Sequence, residues 1–209
     1  MPTGYPAKLP VDAPADLEEI RKAIRSKYAE VSVSAAGKFS YPTGREGTAA
    51  LGYDPEIIGR APARIFESSC GVGNPFSLGA IRAGESVLDI GCGGGLDLFV
   101  AATLVGESGR VSGIDLTEDM VRRAQENLTL AGMKNVEVTK VDSDIIPHAD
   151  HTFDVVLSNG VINLSPRKET VFREIYRVLK PRGRLQFADV VLENELPLSL
   201  AGSAEAWSQ

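Results

Sequence analysis

The chain has few residues of the kinds that mark secreted or membrane proteins. Its 209 residues include two cysteines, Cys70 and Cys92, which is too few for a disulfide framework. The N-terminus, M-P-T-G-Y-P, has no basic segment leading into an apolar one, so no signal peptide is predicted. No apolar run approaches the roughly 20 residues of a membrane span. We therefore expect a cytoplasmic protein that does not bind a membrane.

Positive charge is also scarce. The 22 lysines and arginines are outnumbered by 28 acidic residues, which gives a formal net charge of −6. Because a surface that binds nucleic-acid phosphates needs a basic face, we expect no nucleic-acid partner. The length and the 43% hydrophobic content fit one globular domain with a sizeable core.

The most informative segment reads V-L-D-I-G-C-G-G-G-L-D, residues 87–97. A strand followed at once by closely spaced glycines and a helix lets backbone N–H groups approach a ligand without interference from a Cβ atom. The dinucleotide fingerprint G-x-G-x-x-G would need its third glycine at position 96, where the sequence has Leu96. The spacing here is G-x-G-x-G, with Asp89 two residues before Gly91. This arrangement resembles motif I of the class I S-adenosylmethionine (SAM) methyltransferases.

The segments around this motif alternate between predicted strands and helices. Upstream, we predict a helix from Asp16 to about Ala29, a loop over the glycine-rich residues 34–52, and a short helix from Asp54. Strands are predicted over 86–90, 110–114, 136–141, 153–158 and 184–192. Helices are predicted over 96–105, from Thr117 to about Gly132, and from Ser165 to a stop at Pro181, the last with a buried stripe of Val171, Phe172, Ile175 and Leu179. Repeated units of this kind predict an α/β fold with a Rossmann-like, doubly wound, mostly parallel sheet.

The chain is predicted to divide into an N-terminal arm and helical extension (1–60), a SAM-binding methyltransferase domain (61–195) and a short tail (196–209). Methyltransferases of this class normally continue past the fifth strand into a helix and an antiparallel strand pair. The residues after 192 contain no pattern for two strands, so we expect that pair to be missing. Because exposed sheet edges pair readily with other chains, a homodimer or a partner subunit is predicted at this edge.

Acidic side chains follow three successive strands, where ligands bind in sheets of this type. Asp115 is placed to accept hydrogen bonds from both ribose hydroxyls of SAM, because a carboxylate has two acceptor oxygens. Asp142, with Ser143 beside it, could accept from the adenine amino group. Asp89 and the backbone of Gly91–Gly95 would hold the amino-acid end, whose carboxylate is favoured by the following helix N-terminus.

Two further segments resemble the arsenite methyltransferase branch of this class: residues 158–185, S-N-G-V-I-N-L-S-P-R-K-E-T-V-F-R-E-I-Y-R-V-L-K-P-R-G-R-L, and residues 71–75, G-V-G-N-P. The likeness covers roughly residues 50–195. It implies a SAM-binding fold and methyl transfer to a small-molecule acceptor, and it matches Tyr28 to an N-terminal tyrosine that lies near the sulfonium in that family. The cofactor-binding residues predicted on these grounds are Tyr28, Asn74, Asp89, Gly91, Cys92, Gly93, Asp115, Leu116, Asp142, Ser143 and Asn159.

The cysteines depart from the pattern of that branch. Its members bind trivalent arsenic through cysteines, because arsenic prefers thiolate ligands. Here Gly160 stands where one family cysteine follows the asparagine, residues 40–43 contain none, and Cys70 is shifted from its counterpart by a residue or so. Cys92 is expected to be a small buried side chain. Since one thiol cannot hold arsenite in the family's manner, the methyl acceptor is left open.

No catalytic residue or metal ligand stands out. His148 and His151 flank Asp150, but there is no third ligand nearby, so we expect a solvated turn and no metal site. Three functions are considered. The preferred one is a SAM-dependent methyltransferase of the arsenite methyltransferase-like group, acting on a small molecule. The alternative is a non-catalytic or truncated SAM-binding protein that acts as a partner subunit, and the third is an NAD-linked oxidoreductase.

Overall fold

The computed structural model describes residues 14–191 of the chain. In this range the helices are α1 (Pro14–Val33), α2 (Gly44–Ala50), α3 (Pro55–Gly59), α4 (Leu96–Val105), α5 (Glu118–Leu130) and α6 (Lys168–Val178). The strands are β1 (Ser86–Ile90), β2 (Arg110–Asp115), β3 (Val136–Lys140), β4 (Phe153–Asn159) and β5 (Leu179–Ala188). Short 3-10 turns cover Ala63–Phe66, Pro75–Leu78 and Ile162–Leu164.

The strands form one sheet in the order β3-β2-β1-β4-β5, and every neighbouring pair is parallel. The chain runs outward from β1 through β2 to β3, then returns to place β4 on the other side of β1. The strand order therefore reverses between β1 and β4, which is where open α/β sheets bind ligands. The predicted Rossmann-like, doubly wound sheet of the class I methyltransferase type is confirmed.

Helices cover both faces of this sheet. Successive side chains of a strand point to opposite faces. In β1, Val87 packs in a cluster with Leu98 of α4 and Leu128 of α5, whereas Leu88 packs in a second cluster with Ile175 of α6. A parallel sheet buried on both sides in this way is the three-layer α/β arrangement.

The N-terminal segment packs on the sheet domain through α1. Val31 and Ala35 form a buried cluster with Met120 of α5. The prediction of a loop over 34–52 was wrong for part of its length, because it contains α2. Gly47 allows this helix to form close to the preceding chain, since a Cβ atom there would lie 2.2 Å from the Pro42 carbonyl oxygen.

The predicted end of α6 was also wrong. Leu179 does not belong to the buried helical stripe: α6 ends at Val178, and Leu179 begins β5, where it pairs with Phe153. Pro181 lies within an irregular stretch of β5, and regular pairing resumes at Arg184. Phe172, the other incorrect member of the stripe, is 40% exposed.

The end of β5 falls at Ala188, whereas the sequence analysis extended this strand to residue 192. Asp189 follows the strand, and its carboxylate accepts a hydrogen bond from the Asn163 N–H at 2.8 Å. Three predictions lie outside the described residues: the absence of a C-terminal strand pair, the tail 196–209 and most of the N-terminal arm. The division at residues 60 and 195 stays a prediction. None of the helices within residues 14–191 is long and apolar enough to cross a membrane.

Candidate functional site

A cleft with a cavity volume of about 200 Å³ lies at the carboxyl ends of β1, β2 and β4. Side chains of α1, and residues between 42 and 71, form its opposite wall. The structure brings most of the predicted cofactor-binding residues together here. Those that line the cleft are Tyr28, Asp89, Gly91, Cys92, Gly93, Asp115, Leu116, Ser143 and Asn159.

The glycine loop between β1 and α4 forms the floor of the cleft. The N–H groups of Gly91 and Cys92 both donate to the Ile114 carbonyl, at 2.8 and 3.1 Å, and thereby attach the loop to β2. Gly91 has a φ of +69°, and a Cβ atom on it would lie 2.3 Å from the Val161 side chain. A glycine is therefore required at this position on both conformational and steric grounds.

Asp115, the last residue of β2, presents an acceptor to the cleft. One of its carboxylate oxygens accepts from the Gly93 N–H at 2.9 Å and the other from the Thr117 N–H at 2.8 Å. Each oxygen can still accept another hydrogen bond. Burial raises the pKa of Asp115, although these backbone donors oppose the shift. The carboxylate is thus held in a fixed orientation where a vicinal diol could bind it.

Two more buried acids, Asp89 and Asp97, lie close to Asp115. Burial is the largest cause of the raised pKa of Asp89, and the negative charges of Asp97 and Asp115 add to it. Burial likewise raises the pKa of Asp97. Because like charges in a buried site repel each other, a cationic ligand would be stabilised here.

Asp97 belongs to a buried hydrogen-bond network that the sequence analysis missed. The Tyr53 hydroxyl donates to one oxygen of Asp97 at 2.7 Å, and the Asn159 amide donates to the other at 3.1 Å. The same amide group donates to the Tyr53 hydroxyl at 3.0 Å. Asp97 closes the glycine motif and could have been proposed from that position. Tyr53 lies far from the motif, and no local pattern marks it.

Asn159 also fixes the loop that precedes β1. Its Oδ1 atom accepts hydrogen bonds from the N–H groups of Val72 and Gly73, at 2.9 and 3.1 Å. A Cβ atom at Gly71 would lie 2.5 Å from the Asn159 side-chain nitrogen, so only glycine permits this approach. One amide therefore connects the carboxyl end of β4, α4 and the 71–73 loop.

Two predicted cofactor-binding residues lie outside the cleft lining. Asn74 caps the 3-10 turn that follows it by accepting from the Phe76 N–H at 3.1 Å. Asp142 is exposed and forms an ion pair with Lys140, which lowers the pKa of Asp142. Their roles in cofactor binding stay predictions.

The two thiols pack in different places, Cys92 buried and Cys70 partly buried. Cys92 packs in the core cluster on the α4 side of the sheet, and a Cβ atom at Gly113 would lie 2.9 Å from its sulfur. Cys70 packs beside Met120, where burial raises its pKa to about 12. Within residues 14–191 no group of histidine, cysteine and acidic side chains could hold a metal ion.

The strand order, the glycine loop after β1 and the acid at the end of β2 together define a domain with the class I methyltransferase fold. Residues 81–209 match the family model described as a methyltransferase domain. The chain belongs to this methyltransferase family. The predicted class is therefore confirmed, and the NAD-linked oxidoreductase is not supported.

Relatives within the family include arsenite methyltransferases, as the sequence analysis predicted. The chain is 37% identical over 199 residues to the arsenite methyltransferase of Halobacterium salinarum. The alignment covers 88% of this chain and 51% of that protein. The chain thus spans about half the length of this curated relative. Among solved structures, an arsenic(III) SAM methyltransferase from Chlamydomonas reinhardtii is 36% identical with a TM-score of 0.57, covering 73% of this chain and 51% of that one. A SAM-dependent methyltransferase from Aquifex aeolicus is 30% identical with a TM-score of 0.53, covering 70% and 80% of the two chains.

Proposed function

We propose that this protein is a SAM-dependent methyltransferase that acts on a small-molecule acceptor. The observation that carries the proposal is Asp115: its buried carboxylate is oriented by two backbone N–H groups at the end of β2 and lines the cleft above the glycine loop. Membership of the methyltransferase family supports the same conclusion.

The residues present fit SAM as a ligand. Asp115 would accept hydrogen bonds from the ribose hydroxyls, and the 142–143 segment would lie at the adenine. The buried acids Asp89 and Asp97 give the cleft an excess of negative charge, which suits the sulfonium and ammonium groups of the cofactor.

SAM supplies an activated methyl group when it is bound, and the protein must place an acceptor beside it and exclude water. Tyr28 and other residues of α1 cover one side of the cleft. Burial raises the pKa of Tyr28, so its phenol stays protonated at neutral pH. None of the described residues that line the cleft is a histidine or a lysine, and the acids Asp89, Asp97 and Asp115 are assigned to the cationic groups and the ribose of the cofactor. We therefore propose an acceptor whose nucleophilic atom already carries an available lone pair and needs no general base.

Arsenite held by several thiolates fits this cleft poorly. Cys70 and Cys92, the two cysteines of the chain, both line the cleft, but they pack in separate clusters and are only two thiols. Gly160 follows Asn159, so this end of β4 carries no thiol. We propose that the acceptor is a small molecule recognised without a cluster of thiolates.

A methyl-transfer assay distinguishes this proposal from the non-catalytic alternative, because only an enzyme would form a methylated product. Purified protein would be incubated with methyl-labelled SAM and a panel of thiol, amine and carbon nucleophiles, with arsenite plus free thiol as one arm. We expect a labelled product from at least one organic acceptor. Binding of SAM with no product from any acceptor would favour a binding subunit.

Binding of the cofactor is tested with Asp115→Asn. An amide places a donor where a backbone N–H now requires an acceptor, so we expect the Kd for SAM to rise about 10- to 100-fold. Asp119→Asn is the matched control, since that acid pairs with Arg122 on the surface of α5. Calorimetry that detects no SAM binding by the unmodified protein would refute the proposed function.

We further propose a homodimer or a partner subunit at the β5 side of the sheet, in the cytoplasm. There Phe172 and Phe187 form an edge-to-face ring pair with centroids 6.1 Å apart, and both are partly exposed. Tyr176 is 82% exposed next to them on α6. Light scattering with purified protein tests the dimer, and a monomer at all concentrations would leave only a different subunit as the partner.

A further inference from the structure

The hydroxyl group of Ser68 is buried without a hydrogen-bond partner. The residue is 2% exposed, and among the described residues no atom donates to or accepts from its Oγ atom. Ser68 is also one of the residues that line the cleft. Leaving a buried hydroxyl unpaired costs free energy, so such groups usually meet a ligand or an ordered water.

Ser68 lies directly beside the glycine loop. A Cβ atom built on Gly94 would be 2.0 Å from the Ser68 oxygen, so only the absence of a side chain at position 94 leaves room for this hydroxyl. The next residue, Gly95, is the N-cap of α4 and offers no side-chain cap. The first backbone hydrogen bond of that helix runs from the Phe99 N–H to the Gly95 carbonyl. The preceding N–H groups at the helix start therefore have no acceptor within the helix.

The two features favour the same kind of ligand. Uncapped N–H groups at a helix N-terminus stabilise an anion, and a serine hydroxyl can donate to it. Asp89, Asp97 and Asp115 would repel an anion elsewhere in the cleft. Asp97 also lies in the first turn of α4, but both of its carboxylate oxygens accept hydrogen bonds, from the Tyr53 hydroxyl and the Asn159 amide. The Arg123 side chain lies on the Ser68 side of the loop, with its Cγ atom 3.7 Å from the position of a Gly94 Cβ. The only strongly anionic group of SAM is the carboxylate of its methionine part.

We propose that Ser68 binds the carboxylate of the cofactor, together with backbone N–H groups at the start of α4; this rests on the proposed function. Ser68 precedes residues 81–209, the part of the chain that matches the family model. The segment before residue 81 thus contributes a direct contact to the methyl donor. Through this contact it selects a donor that retains its amino-acid end.

The test compares three ligands by calorimetry: SAM, decarboxylated SAM, which lacks only the carboxylate, and 5′-methylthioadenosine, which lacks the whole amino-acid part. We expect Ser68→Ala to raise the Kd for SAM about 10-fold, since the lost hydrogen bond is to a charged group. The same substitution should change the Kd for the other two ligands by less than about 2-fold. The effects on the Kd of removing the Ser68 hydroxyl and of removing the ligand carboxylate should therefore be non-additive.

A matched control and a second variant accompany this comparison. Ser32→Ala removes another buried hydroxyl, one that donates within α1 to the Ala29 carbonyl at 2.7 Å, and should change none of the three affinities. Gly94→Ala should reproduce the selective loss, because its methyl group displaces the Ser68 hydroxyl.

The possible results separate this inference from the proposed function. If the unmodified protein binds SAM and Ser68→Ala binds it equally well, a buried water satisfies the hydroxyl and the inference is wrong. An equal loss of affinity for all three ligands would mean that Ser68 only supports the loop, which also overturns it. Should Ser68→Ala fail to fold, Gly94→Ala and the unmodified protein with decarboxylated SAM decide the question. Failure of the unmodified protein to bind SAM would instead refute the proposed function itself.

Discussion

Arg21 of α1 donates a hydrogen bond to Asp144 over 2.9 Å, between positions 123 residues apart in the sequence. The other oxygen of Asp144 accepts from the Ser165 hydroxyl at 2.9 Å. All three side chains line the cleft. Asp144 therefore fastens α1 to the connection between β4 and α6, and α1 is held as a wall over the ligand site.

Substitution of Arg21 by alanine should loosen this wall. The side chains of Arg21 and Asp144 are 18% and 14% exposed, so their ion pair is screened less than a surface pair. We expect the substitution to remove about 1 kcal/mol of the interaction that holds α1 over the cleft. This corresponds to SAM dissociating about 5-fold faster. Stopped-flow displacement measures this rate. Arg25→Ala is the control because Arg25 pairs with Glu18 on the same helix. An unchanged rate in Arg21→Ala would show that the ion pair does not retain the ligand.

Removal of the Tyr53 hydroxyl should destabilise the protein. Tyr53→Phe leaves one oxygen of Asp97 without its donor and removes an acceptor from the Asn159 amide, while the aromatic ring still fills its place. Unpaired buried polar groups cost about 1–3 kcal/mol, and we expect a decrease of that size in the free energy of unfolding by urea. Tyr176→Phe, at a position 82% exposed, should have no effect. Equal stabilities for the two variants would contradict the importance of the network.

The buried acids should make the ligand-free protein less stable as the pH rises. Folding raises the pKa of Asp89 through burial and through the charges of Asp97 and Asp115, so the folded state binds its proton more tightly than the unfolded state. The resulting contribution to stability is present below about pH 4, where both states are protonated, and is lost as the pH rises towards the higher folded pKa.

Asp89→Asn isolates this contribution from the ion pairs elsewhere in the chain. The variant should melt at a higher temperature than the unmodified protein, and the difference should grow between pH 5 and pH 8. A change of 1 kcal/mol shifts the Tm of a chain of this size by about 2–4 °C. Calorimetric scans across that range provide the measurement, with Asp119→Asn as an exposed control. Parallel pH profiles for Asp89→Asn and the unmodified protein would mean that Asp89 does not titrate in this range.

Local patterns in the sequence were sufficient for the centre of the fold. The predicted bounds of β1 and α4 agree with the structure, because a run of apolar residues, four glycines and a second apolar run define them. The α2 helix was missed because its sequence, G-R-E-G-T-A-A, has weak helix propensity. Its formation depends on tertiary contacts, such as the approach of Gly47 to Pro42.

The candidate site was predictable only where its residues end strands. Asp89, Asp115 and Asn159 could be placed because parallel strands bring their carboxyl ends to one edge. Tyr53 and Ser68 could not, since their positions depend on how the N-terminal segment folds back over the sheet. The cofactor role of Asp142 remains a prediction, as its carboxylate faces Lys140 at the surface.

The amide of Asn159 joins residues 62 and 106 positions away along the chain, in α4 and at Tyr53. Substitutions between residues 53 and 73 can therefore alter the affinity for the methyl donor without any change in the glycine motif. If the proposed function holds, selectivity for the donor can change through this distant segment while the glycine loop keeps its sequence.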